Sequence, residues 1–77
     1  MNAVAIIQAR MSSTRLPGKV LMPIVGRPLL WHIVHRLQQC RELDKIVIAT
    51  TTEDSDDPIE AFGKEHGVMV VRGSLDN

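Results

Sequence analysis

Ile6-Ile7-Gln8-Ala9-Arg10-Met11-Ser12-Ser13-Thr14-Arg15-Leu16-Pro17-Gly18-Lys19 joins an apolar run to a basic loop that closes on glycine. Three fixed cations (Arg10, Arg15, Lys19) and three hydroxyls (Ser12, Ser13, Thr14) fall within ten residues, with no acid among them. Open α/β sheets bind ligands beyond the carboxyl ends of their strands, where backbone amides and cations collect around anions. The stretch reads as a strand that delivers a polyanion site, and the triphosphate of a nucleotide suits it.

Working outward, Ala3-Val4-Ala5-Ile6-Ile7 is the continuous apolar run expected of a strand covered on both faces. Gly18 and Gly26 bracket a segment that Pro23 keeps from being a regular central strand, although its apolar side chains can anchor the loop. A helix is predicted to begin near Pro28, with Leu29, Leu30, Ile33, Val34 and Leu37 forming one apolar stripe at three- and four-residue spacing. Lys45 to Thr50 supplies a second strand. Asp57 reads as the N-cap of a second helix, followed by Pro58 and with Glu60 at the third helical position, and Gly67 ends that helix. Val68 to Val71 begins a third strand.

Two strand–helix–strand crossovers imply an α/β fold with a mainly parallel sheet and flanking helices. By surface scaling, a chain of 77 residues buries only about 60–65% of its unfolded surface. Gly73 to Asn77 brings no closing helix or edge protection after the third strand. Residues 1–77 are therefore expected to be the N-terminal part of a larger nucleotide-binding domain, incomplete by itself and prone to self-association through the exposed sheet edge.

Net charge is zero, but the charges are segregated. Residues 1–41 carry six of the nine cations and no acid, whereas residues 42–77 carry all nine acids. The first half attracts an anion without making the chain a general polyanion binder. Nucleic acid is disfavoured because Trp31 and Phe62 do not interleave with the basic residues as a stacking surface. Cys40 is alone, which fits a reducing compartment. No apolar run approaches the length of a membrane span or of a signal peptide's core, so a cytoplasmic location without a membrane partner is expected.

Two common nucleotide motifs are absent. Gly18-Lys19 ends like a P-loop, but the first glycine of that motif is missing and Lys19 is followed by Val20 in place of a magnesium-binding hydroxyl. No Gly-x-Gly-x-x-Gly follows the first strand. What does stand there is A-R-x-x-S-T-R-L-P-G-K over Ala9 to Lys19, followed by Gly26-Arg27-Pro28, Val47-Ile48-Ala49-Thr50 and Val70-Val71-Arg72-Gly73.

This set resembles the cytidylyltransferases that activate acidic sugars, including synthetases of CMP-linked 3-deoxy-manno-octulosonate. It looks most like their relatives in spore-coat and surface-polysaccharide synthesis. The resemblance implies a Rossmann-like nucleotidyltransferase that binds CTP with magnesium and transfers CMP to a sugar hydroxyl, releasing pyrophosphate. It also implies that Arg10, Arg15 and Lys19 hold the triphosphate, that Ser12 and Ser13 belong to the hydroxyl-rich part of the loop, and that the acidic magnesium site lies beyond Asn77. Octulosonate enzymes commonly have proline where this chain has Gln8, which loosens the tie to that particular sugar.

On chemical grounds Arg10 and Arg15 can give directional bidentate bonds to phosphate, and Lys19 a mobile point charge near the β- and γ-phosphates. Gly18 allows close backbone approach and Pro17 stiffens the loop. Arg15 and Lys19 are thus the candidates for transition-state stabilisation, and Arg10, Ser12, Ser13, Arg15, Gly18 and Lys19 for nucleotide binding. No general base stands out.

Competing readings accompany these residues. Ser12, Ser13 and Thr14 can instead cap backbone amides, Gln8 can make a structural hydrogen bond or meet base or ribose, and Arg27 can be a solvated helix entrance or approach substrate. His32 and His35 lack ligand partners and read as helix surface, His66 as a favourable helix C-terminal residue, and Cys40 as incidental. Met11 and Met22 read as apolar anchors. The run Glu53-Asp54-Ser55-Asp56-Asp57 reads as capping and solvation in preference to a metal site, and no metal ligand is assigned. A noncatalytic nucleotide- or anion-binding interaction domain, or a sugar-phosphate nucleotidyltransferase using another base, are the alternative functions.

Overall fold

The computed structural model describes residues 3–12 and 18–73. The expected α/β order is present. Strand β1 (Val4–Gln8) leads through a one-turn 3-10 helix (Lys19–Leu21) to a two-stranded ribbon, β2 (Pro23–Ile24) and β3 (Arg27–Pro28). Then follow α1 (Leu29–Gln38), β4 (Lys45–Thr51), a 3-10 turn (Asp54–Asp56), α2 (Asp57–His66) and β5 (Met69–Gly73).

Strands β1, β4 and β5 form one parallel sheet in the order β1-β4-β5. Register pairs Ile7 with Ile48 and Ile48 with Val70, so these three side chains share one face. Against that face pack Leu30 and Val34 of α1, Ile59 and Phe62 of α2, and Ala9 and Val68. Both helices contribute to this one core because the chain steps the same way across the sheet twice, and right-handed crossovers then place their helices on the same side.

The other face departs from the expectation for β1, which was a strand covered on both sides. Val4 is 54% and Ile6 66% exposed, and Met69 and Val71 at the far edge are about half exposed. Among the described residues the helices cover only one face of the sheet, so the apolar side chains on the other face stay exposed.

Pro23 acts as anticipated. It stands in a two-residue strand whose partner also carries a proline, Pro28. The ribbon turns at Val25-Gly26 with φ of 52° and 80°, the paired positive values of a tight hairpin turn. The Leu29 amide then donates to Met22 O at 2.9 Å, fastening α1 to the ribbon. Pro28 occupies the N-cap position, one residue ahead of the first helical turn.

The N-terminus of α2 differs in detail from the capping arrangement expected at Asp57. The helix begins at Asp57 itself, Asp56 holds the N-cap position, and no side chain caps the first turn. The reason is competition for partners. Asp56 is drawn inward to other donors, while Asp57 and Glu60 are both taken by Arg72. The helix ends at Gly67, as expected, and His66 lies in its last turn with its ring 4.4 Å from that of Phe62.

Candidate functional site

The carboxyl ends of β1, β4 and β5 lie along one edge because the three strands are parallel. The loop after β1 and the acidic turn after β4 therefore meet at the same edge, the position at which open α/β sheets take ligands.

The loop leaves the sheet in steps that fix its base. The Ala9 amide donates to Ala49 O at 3.0 Å, carrying the β1–β4 ladder one residue past the strand, and Ala9 is buried. Arg10 is exposed at this end of the sheet. Met11 turns back. Its amide donates to Asp56 Oδ1 at 2.7 Å, its carbonyl accepts the Gly18 amide at 2.7 Å, and its side chain packs against the core. Ser12 is exposed beside it.

The return limb is set by Gly18, whose φ of 74° is left-handed. Among the described residues a Cβ there would meet only Met11 Cε, at 3.9 Å, and it is the positive φ that calls for glycine. Lys19 follows at once, exposed, while Val20 and Leu21 pack against the core. The Gly18–Met11 bond brings Lys19 next to the segment that carries Arg10 and Ser12. Four of the six binding candidates, Arg10, Ser12, Gly18 and Lys19, thus share one end of the sheet. Ser13 and Arg15, with Thr14 and Pro17, lie outside the described residues.

Asp56 is fully buried. Burial pushes its carboxyl pKa up, but the bonds from the Met11 amide and the Thr51 hydroxyl outweigh this and hold it below the ordinary 3.8. Thr51 Oγ1 also accepts the Glu53 amide at 3.1 Å, which shapes the turn after β4. Arg72, at the end of β5, holds the far side of the same turn. Its guanidinium donates to Thr51 O (2.6 Å), Glu53 O (2.7 Å), Asp57 Oδ1 (2.9 Å) and Glu60 Oε1 (3.0 Å).

Asp56 and Asp57 of the acidic run thus hold the turn through Met11, Thr51 and Arg72, where capping and solvation were expected: Asp56 is buried and no side chain caps α2. Among the described residues no three His, Cys, Asp or Glu side chains form a group able to hold a metal ion. Asp56, the acid nearest the loop's backbone, already has two donors.

Other candidates are placed by their contacts and exposure. Arg27 lies over the Trp31 ring at 4.7 Å, and Trp31 stacks on His35 with ring centroids 4.7 Å apart. His32 Nε2 donates to Ile24 O at 2.6 Å, tying α1 to the ribbon. Gln8 is exposed at the end of β1, level with Ala49, and Cys40 is exposed and unpaired. Met11 is a core anchor, but Met22 is half exposed and contributes through its backbone.

Sequence reasoning missed Asp56 and Arg72. Nothing local distinguishes Asp56 from Asp54 and Asp57, since only the fold brings Met11 to it. Arg72 carried a signal, being the last cation of the chain, at the end of a strand adjacent to the one that leads into the acidic run.

Comparison with known proteins agrees with this geometry. A cytidylyltransferase family model matches residues 4–77. The spore coat polysaccharide biosynthesis protein SpsF of Bacillus subtilis is 49% identical over 73 residues, covering 90% of this chain and 30% of that protein. A cytidylyltransferase structure from Leptospira borgpetersenii superposes with a TM-score of 0.83 at 44% identity, over 92% of this chain and 30% of that one. A CMP:2-keto-3-deoxy-manno-octonic acid synthetase complexed with CTP superposes with a TM-score of 0.74 at 30% identity, over 99% of this chain and 30% of that one. The chain thus spans 30% of the length of each of these relatives. A strand-end basic loop, its pinned base and a family match over nearly every residue lead to one conclusion: the chain belongs to the cytidylyltransferase family.

Proposed function

We propose that the protein built on these residues transfers CMP from CTP to a hydroxyl of an acidic sugar, releasing pyrophosphate, as a step in surface polysaccharide synthesis. The observation that carries this reading is the loop at the carboxyl edge of the sheet, held by Met11 between Asp56 and Gly18 with Arg10 and Lys19 exposed. Support for CTP comes from the octulosonate-type neighbour, whose structure contains that nucleotide. Support for polysaccharide synthesis comes from the spore-coat relative.

In the proposed reaction the sugar hydroxyl oxygen forms a bond to the α-phosphorus, and the bond from that phosphorus to the bridging oxygen breaks. Pyrophosphate leaves with the electron pair, and the hydroxyl proton is released. Negative charge meets negative charge on approach and grows on the leaving group, so fixed cations lower the barrier. Arg10 and Arg15 grip phosphate oxygens, Lys19 faces the β- and γ-phosphates, the Gly18 turn keeps the loop close, and Ser12 and Ser13 add hydrogen bonds.

Magnesium is proposed to arrive with the CTP phosphates. Among the described residues no three His, Cys, Asp or Glu side chains group around a metal position, so the phosphates are its proposed ligands. A cytoplasmic location is proposed from the unpaired Cys40, and nucleic acid and membrane are not among the proposed partners. No described helix is long and apolar enough to cross a membrane.

Pyrophosphate release by the full-length protein, supplied with CTP, magnesium and a panel of acidic sugars, tests the reading. Release that depends on one of the sugars is expected, and no release with any of them counts against it.

A further inference from the structure

We propose that Asp56 is a positioning residue for the nucleotide's triphosphate, fixing the base of the loop so that Arg10 and Lys19 stand ready at the sheet edge. The inference rests on the phosphate-loop reading above and assigns a role to a residue 45 positions from the Met11 amide it holds.

An aspartate at an N-cap ordinarily accepts a bond from the helix's own second or third amide. Asp56 occupies that position in α2 and caps nothing. Its Oδ1 reaches instead to the Met11 amide at 2.7 Å, and its Oδ2 takes the Thr51 hydroxyl. A carboxylate suits this place because it accepts from two donors at once, whereas an amide side chain would turn a donor toward one of them. The positive end of the α2 dipole lies beside it and favours the buried charge.

What is held is the residue at which the two limbs of the loop meet. Met11 receives Asp56 on its amide and Gly18 on its carbonyl, so both limbs of the loop are defined at one residue. Arg10 precedes that residue directly and Lys19 follows its partner directly. Loosening Met11 frees both cations together, and a cation that must be reorganised on binding contributes less affinity. The effect falls on the phosphates that the loop grips, and least on a ligand with a single phosphate.

The test compares CTP with CMP in calorimetric titrations of the full-length protein and its Asp56→Ala variant, with magnesium present. Loss of the charge-assisted bond is expected to weaken CTP on the order of tenfold and CMP by less than about threefold. A purely structural role would weaken both equally, because a smaller folded fraction scales every apparent affinity alike. Should Asp56→Ala not fold, Asp56→Asn, of nearly the same shape, decides by the same ratio, with a loss of roughly threefold or more confined to CTP expected. An unchanged ratio of CTP to CMP affinity in the variant overturns the inference. A wild-type protein that binds CTP no better than CMP overturns the phosphate-loop reading and this inference with it.

Discussion

The Gly18 amide donates to Met11 O at 2.7 Å, which brings the start and the end of the basic loop together across residues 12–17. The bond exists because Gly18 takes a left-handed φ of 74°. Gly18→Ala should cost roughly 1–2 kcal/mol, from backbone conformation alone since there is room for a methyl group. Chemical denaturation would measure it, and CTP affinity should fall in parallel as the loop's return limb shifts. A variant as stable as the wild type would show that the left-handed turn is not needed.

Gly63 on α2 faces β5 so closely that an added Cβ would overlap Val70 Cγ2 and lie 2.8 Å from Val68 O. Gly63→Ala should destabilise by about 2–3 kcal/mol, against the usual helix-propensity gain of alanine. Adding Val70→Ala should restore only part of this, because the Val68 carbonyl remains in the way. Thermal unfolding of the single and double variants checks both statements, and a stabilising Gly63→Ala would place α2 farther from the sheet.

Acid should act through Asp56. Its folded-state pKa lies below the ordinary 3.8, so its contribution to stability is complete above that value and is lost as pH falls through 3.8 toward the folded value. Unfolding midpoints measured from neutral pH down to about pH 3 should drop more steeply for wild type than for Asp56→Asn, which lacks the titrating group. Parallel acid limbs would assign the loss to other carboxylates.

Much of the fold was legible because its signals are local. The Leu30–Val34 stripe, the Gly67 helix end, the Pro23 interruption and the three apolar strands each depend on neighbours in sequence, and each appears where expected. The placement of Arg10 and Lys19 at the carboxyl edge was legible for the same reason, since both follow from the end of β1. Other features were not. The uncovered face of β1 depends on how many helices reach each side of the sheet, which a strand's composition does not record. Asp56 depends on a bond spanning 45 positions, and its neighbours Asp54 and Asp57 look identical until β1 and β4 pair.

That uncovered face has a consequence of its own. Val4, Ile6, Met69 and Val71 expose apolar surface on one side of the sheet, and the β5 edge is unpaired among the described residues. A polypeptide cut to residues 1–77 should self-associate in sedimentation velocity, and Ile6→Lys with Val71→Lys should shift it toward monomer. A stable monomer without those substitutions would contradict this.

The Arg10-to-Lys19 loop is proposed to hold the triphosphate of CTP. Calorimetric titration of the full-length protein with magnesium CTP, ATP, GTP and UTP, repeated for Lys19→Ala with CTP and CMP, measures this. CTP is expected to bind tightest, and Lys19→Ala to weaken CTP well beyond CMP. Equal affinity for all four nucleotides, or equal losses for CTP and CMP, would contradict it.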